Sequence, residues 1–441
     1  MDKTITTNYG KIVGEEQKDY VVYKGIPYAK PPIGNLRWKA PQTPDPWQGI
    51  YEAKNFSAKC PQDENHFGLY QKEFYNNLDF LRPSNEDCLY LNIWVPKTNT
   101  QKKPVAFWIH GGAFSGGYSS EIEFDGEAYC KKDIILVTVN YRLNVYGFLA
   151  HPWLSAENER GISGNYGILD QVAALKWVYE NIGYFGGDSE NITVFGQSAG
   201  SMSTQVLVSS KLTDHMIHKA ILQSGITYKS KILFTPSLEE EERIGEKFVS
   251  YTGAKSLEEL RKLSTKELDD ARKRFIKDMW KAGNGIVFVP NIDGYVLKDS
   301  VSNLLEKGQI KDIPYMLGTV QEDLNVTKEQ IASGDKGELF KDCKRWSFKL
   351  EELGREPAYI YYFAHHLPGD EAGAFHSAEL WYTFGTLGRC WRPMKEHDYQ
   401  LSEEMVTYWT NFMRYGSPAD DKIKEWRKCS RMDPFIKEFN G

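Results

Sequence analysis

Three observations predict an α/β chain built on a large, mostly parallel central sheet flanked by helices. Apolar, β-branched runs recur at 105–109, 134–140, 192–195, 315–319 and 359–363. Helical patterns separate them, clearest over 168–184, where LDQVAALKWV gathers its apolar residues on one face. No repeat, low-complexity tract or linker interrupts the alternation. Parallel strands need such crossovers, and the resulting sheet is covered on both faces. Length alone would suggest about three domains, but large α/β enzymes routinely form one, and residues 1–441 are read as a single domain.

The elements follow in order. Proline and glycine crowd the first sixty residues (GIPYAKPPIGNLRW), as expected of a loop-rich edge before the parallel core. The run 105–109 ends in a glycine-rich turn, HGGAFSGG. The run 192–195 ends in GQSAG (196–200), and MSTQVLV follows at once as a helix. From 237 to 275 the chain is charged and helix-like, with SLEEL and STKEL as capped helix starts. That block is read either as a cap over the active site or as a solvated helical excursion.

Composition excludes several classes. Hydrophobic residues make up 41% and charged residues 26%, ordinary for a soluble globular enzyme. With a net charge of −6 and basic residues scattered among acids, neither nucleic acid nor an anionic membrane is expected as a partner. No segment approaches the roughly 18 consecutive apolar residues of a membrane span. The opening MDKTITTNYGKI lacks an apolar h-region, so the expected location is cytoplasmic, with a secreted mature form as the alternative.

GQSAG carries the chemistry. In a strand–turn–helix context, G-x-S-x-G projects its serine from a sharp turn at the sheet edge, above a helix N-terminus. Ser198 is therefore the candidate nucleophile. A serine hydroxyl attacks only when a histidine accepts its proton and an acid orients that imidazole. The oxyanion that develops needs preformed N–H donors, each worth roughly 3–4 kcal/mol of barrier. One donor is the N–H after the nucleophile, on Ala199; Gly112 and Ala113 of the glycine turn are best placed to supply the others. No metal or cofactor is required by this chemistry.

The chain resembles the type B carboxylesterases, the α/β-hydrolase family that also holds the cholinesterases. YKGIPYAKPPIGNLRW, NEDCLYLNIWVP, WIHGGAFSGG, VTVNYRLNVYGFLA, the long block ending in VFGQSAGS, and GAFHSAELWY match its landmarks in order. The resemblance implies an acid at the sixth position of G-x-x-x-x-E, which here is Asp323, with Glu322 one place early. It also implies a histidine at His376, in GAFHSAE. Chain order alone leaves His365, His366, His376 and His397 among nine histidines. Ser224, in QSG, corresponds to a helper serine, or else to a satisfied structural one. Arg37 with Glu86 and Arg142 with Asp170 match the family's ion pairs, and Cys60 with Cys88 its first disulfide, although a reducing compartment would leave them thiols.

The substrate is less legible. Phe114, Phe185, Trp381, Tyr382 and Phe384 flank the motifs closely enough to line a pocket, Phe114 and Trp381 foremost. The stretch between Asp323 and His376 is shorter than the family's, which implies a wider site. The expected activity is hydrolysis of a small-molecule carboxylic ester, short-chain or aryl, through an acyl-enzyme. The alternatives are a non-catalytic binding or adhesion protein of the same fold, or a feruloyl-type esterase or lipase. Monomer and dimer both remain open.

Overall fold

The computed structural model describes residues 4–63, 68–100, 102–230, 235–420 and 426–440. Its twelve strands are β1 (Thr4–Thr7), β2 (Gly10–Glu16), β3 (Tyr20–Pro27), β4 (Ile50–Ala53), β5 (Tyr90–Pro96), β6 (Lys103–Ile109), β7 (Ile135–Val139), β8 (Gly187–Gln197), β9 (Lys219–Gln223), β10 (Tyr315–Val320), β11 (Tyr359–Phe363) and β12 (Lys437–Phe439). They form one sheet in the order β1-β2-β3-β5-β7-β6-β8-β9-β10-β11-β12, with β4 beside β2. From β1 to β7 the neighbours along this path are antiparallel, and from β7 to β12 every pair is parallel. The mostly parallel sheet is therefore present, and the loop-rich opening supplies its antiparallel edge.

Alternation along the central strands divides the core into two layers, one on each face. In β6, Val105, Phe107 and Ile109 enter one hydrophobic layer, while Ala106 and Trp108 enter the other. In β8, Ile192 and Val194 face the first layer and Phe195 the second. Both faces are dry, which explains why these strands read as continuous apolar runs rather than as alternating ones.

Two buried ion pairs tie the connections down. Arg37 Nη2 lies 2.6 Å from Glu86 Oε1. Arg142 grips Asp170 bidentately at 2.8 and 2.7 Å, and its backbone N–H donates to the same carboxylate at 3.0 Å. Both members of this second pair are out of solvent, so removing either one would strand a charge in the core.

Two alternatives that the sequence leaves open bear on this packing. Cys60 and Cys88 are both buried thiols, not a disulfide. Cys60 Sγ accepts the Leu143 N–H at 3.2 Å, and the Cys88 thiol is pushed up by its hydrogen bond with Cys60 and by burial. The block 237–275 folds into the helices Leu238–Thr252 and Leu257–Lys262 and most of Thr265–Lys281, capped by Ser237, Ser256 and Ser264 as its sequence implies. It packs back on the Arg37 and Tyr146 region, through Arg37 to the Arg261 and Leu263 carbonyls and Tyr146 to the Thr265 carbonyl. Among the described residues, none from this block lines the cavity at Ser198. The block thus stands apart from the lining of that cavity.

Candidate active site

Ser198 stands between the end of β8 and the helix Ala199–Ser209, at φ 55° and ψ −123°. A side chain bearing a Cβ adopts positive φ only when its surroundings impose it. The Ser198 N–H is held by the Gln223 carbonyl of β9 at 2.9 Å. The flanking glycines make the turn feasible. A Cβ on Gly196 would stand 2.4 Å from the Gly200 backbone, and one on Gly200 only 2.0 Å from the Ile109 carbonyl oxygen. Strand and helix thus cross at a separation that no larger residue permits, and Ser198 is left half-exposed at the turn.

The glycine turn after β6 faces it. Gly112, Ala113 and Phe114 all have positive φ (103°, 54° and 56°). That conformation turns the Gly112 carbonyl back to accept from Ser115 and Gly116. Among the described residues, no protein acceptor takes the N–H groups of Gly112, Ala113 or Ala199. His110 braces the turn from beneath. It is buried, stacks on Tyr141 at 4.5 Å and bonds the Gly111 carbonyl through Nδ1 at 2.8 Å. Burial lowers its pKa to about 4, so it stays neutral at pH 7.

Asp323 follows β10 and His376 lies in the loop after β11. His376 Nδ1 bonds Asp323 Oδ1 at 2.6 Å. Burial alone would raise the Asp323 carboxyl, but the imidazole, the nearby Ser224 hydroxyl and the Leu324 N–H together hold it below the usual carboxylate range. Ser224 is buried with a positive φ of 47° and its N–H held by Gly318, and among the described residues its Oγ completes no hydrogen bond of ordinary geometry. Glu322 points elsewhere, accepting the Ala374 N–H at 2.6 Å and lying 3.4 Å from the exposed His366. His365 is taken by Asp398 at 2.6 Å.

With Nδ1–H directed at Asp323, Nε2 is left as an acceptor. The Gln197 side-chain amide donates to it at 3.2 Å, and no hydrogen bond joins it to Ser198 Oγ. The amide occupies the lone pair that a serine proton would need. Such contacts are commonly loose in an unliganded site and tighten with substrate.

Ser198, Gly112, Ala113, Ala199 and His376 all line one cavity of about 520 Å³, within the range of small-molecule sites. Phe114 lines it as expected. Trp381 does not: it is fully buried behind the wall, and its Nε1 donates to Glu73 at 2.8 Å. Phe185, Tyr382 and Phe384 are likewise core residues away from the lining. Tyr70, in the helix Gly68–Phe74, lines the cavity and donates to the His376 carbonyl at 3.1 Å. It lies in no motif, and sequence reasoning missed it.

A strand–turn–helix serine beneath a glycine turn, on a sheet of this order, defines the α/β-hydrolase class. The chain belongs to the carboxylesterase family, whose profile matches residues 1–352 and 344–439, and it is a carboxylic ester hydrolase. It is 32% identical to the para-nitrobenzyl esterase of Bacillus subtilis (strain 168), over 95% of this chain and 91% of that one. It is 31% identical to the fumonisin B1 esterase of Sphingopyxis macrogoltabida, over 96% and 84%. A solved PNB esterase superposes with a TM-score of 0.86 at 28% identity, covering 99% of this chain and 96% of that one.

Proposed function

We propose that the chain cleaves short-chain or aryl carboxylic esters through an acyl-enzyme on Ser198. Ser198 Oγ bonds to the ester carbonyl carbon while its proton passes to His376 Nε2, after the Gln197 amide has swung away. The carbonyl oxygen takes up the negative charge and is received by the N–H groups of Gly112, Ala113 and Ala199. Asp323 fixes the tautomer of His376 and stabilises the imidazolium. The C–O bond to the alcohol then breaks, with the His376 proton passing to the leaving oxygen. Water repeats the sequence to release the acid and restore Ser198.

The observation that carries this reading is the convergence of Ser198, a histidine bonded to a buried carboxylate, and three unclaimed N–H groups on one cavity. The substrate class is favoured by the cavity's volume and by its largely apolar wall, which includes Phe74, Phe114, Phe124 and Leu380. A feruloyl-type esterase or a lipase would differ in acyl preference. A panel of p-nitrophenyl esters from acetate to laurate, with bulky aryl esters, tests the assignment. The expected kcat/KM is highest for short or aryl acyl groups, and a maximum at laurate would overturn it.

A further inference from the structure

The cavity that exposes Ser198 is also lined by two acids, Glu121 and Glu123, which the chemistry above does not use. They lie two residues apart in the stretch after the glycine turn and are only 5% and 2% exposed. Glu121 is partly satisfied. Tyr75 donates to it at 2.5 Å, the Tyr118 N–H reaches it, and the Lys59 ammonium acts on it. Glu123 is not. Among the described residues, the hydrogen bond its side chain receives is from its own backbone N–H, and Oε2 has no partner. Glu73, the next acid in its field, is already neutralised by Arg392 at 3.0 Å.

A buried carboxyl without a partner is costly, and two of them in each other's field are costlier. Burial pushes Glu121 up to about 7, and burial together with the Glu121 carboxylate pushes Glu123 well above the usual carboxylate range. A hydroxyl arriving from the cavity would satisfy Oε2 but leave the repulsion in place. A cation would relieve both. The neighbouring lining is aromatic (Phe74, Tyr75 and Phe124), and aromatic faces attract cations once water is excluded.

We propose that Glu121 and Glu123 form a subsite for a protonated amine, so that the preferred ester carries an ammonium group. The ester part of this statement rests on the Ser198 reading; the amine subsite does not. Titration calorimetry at pH 8 with n-hexylammonium and with 1-hexanol, no ester present, tests the subsite whether or not Ser198 turns over. The expected result is ammonium binding at least about tenfold tighter than the alcohol, with the preference falling to within about twofold in Glu123→Gln. Glu121→Gln is the second variant, should the first fail to fold, and should weaken the preference in the same direction. Equal affinity for the two ligands, tighter binding of the alcohol, or a preference that survives in both variants would overturn the proposal.

Discussion

Asp323 and Glu322 are chain neighbours with opposite allegiances: the first bonds His376 Nδ1 at 2.6 Å, and the second bonds the Ala374 backbone at the same distance. One-residue alternation at the end of β10 sends the two carboxylates apart. Asp323→Asn should therefore lower kcat by about 10⁴-fold, through the wrong imidazole tautomer. Glu322→Gln should change it little. Steady-state kinetics on the two variants decides the matter, and reversed effects would move the acid to Glu322.

Removing the attacking atom should be more severe. Ser198→Ala is expected to lose about 10⁴–10⁶-fold in kcat while its unfolding midpoint stays close to that of the parent. An organophosphate should label Ser198 and no other serine, as read by peptide mass spectrometry. Full activity in the alanine variant would remove Ser198 from the mechanism.

Packing at the turn is testable apart from chemistry. In Gly200→Ala the new methyl meets the Ile109 carbonyl oxygen, a backbone atom that cannot rotate away. Overpacking of this kind costs about 1–3 kcal/mol or more. Nothing lies within 4 Å of a Cβ at Gly183, so Gly183→Ala serves as the matched control and should be near neutral. Urea unfolding of the pair would show a clear gap between them.

Glu241 makes the pH dependence readable. It is buried at the start of the helix Leu238–Thr252, its Oε2 without a partner among the described residues, and burial raises its pKa to about 8. At pH 4 and below the group is protonated in both states and contributes no difference. As pH rises, the unfolded chain ionises near ~4.3 while the folded one holds its proton, so stability is lost until the folded group also ionises at about 8. Glu241→Gln removes this loss. The variant should match the parent at pH 4 and exceed it by a few kcal/mol at pH 9, of order 1.4 kcal/mol per pH unit between the two pKa values. An advantage that is independent of pH would contradict the assignment.

Much of this was written in the chain. The five apolar runs became β6, β7, β8, β10 and β11, because strands buried on both faces are apolar throughout and need no partner to be recognised. The strands β1 to β5, β9 and β12 were hidden: the first five lie in a glycine- and proline-rich edge that reads as loops, and β9 and β12 are short runs that open on a lysine. Ser198 was legible because its strand–turn–helix context is a local signature, whereas Asp323 and His376 were singled out only through the family resemblance, chain order alone leaving four histidines open. Tyr70, Gln197, Glu121 and Glu123 were not singled out, because their place on the cavity wall is set by tertiary packing. Trp381 was misassigned for the same reason: proximity to His376 in sequence does not say which way an indole turns.

The order of the strands has a kinetic consequence. Gln197 and His376 touch although 179 residues separate them, and β8 and β10 are joined only through β9 lying between them. Closing such long chain segments is entropically slow, so the site assembles only when distant parts of the polypeptide have found each other. No contiguous fragment shorter than that span contains both Ser198 and His376. Recovery of esterase turnover after dilution from denaturant should accordingly lag the return of helical circular dichroism, making hydrolysis a reporter of completed topology rather than of collapse.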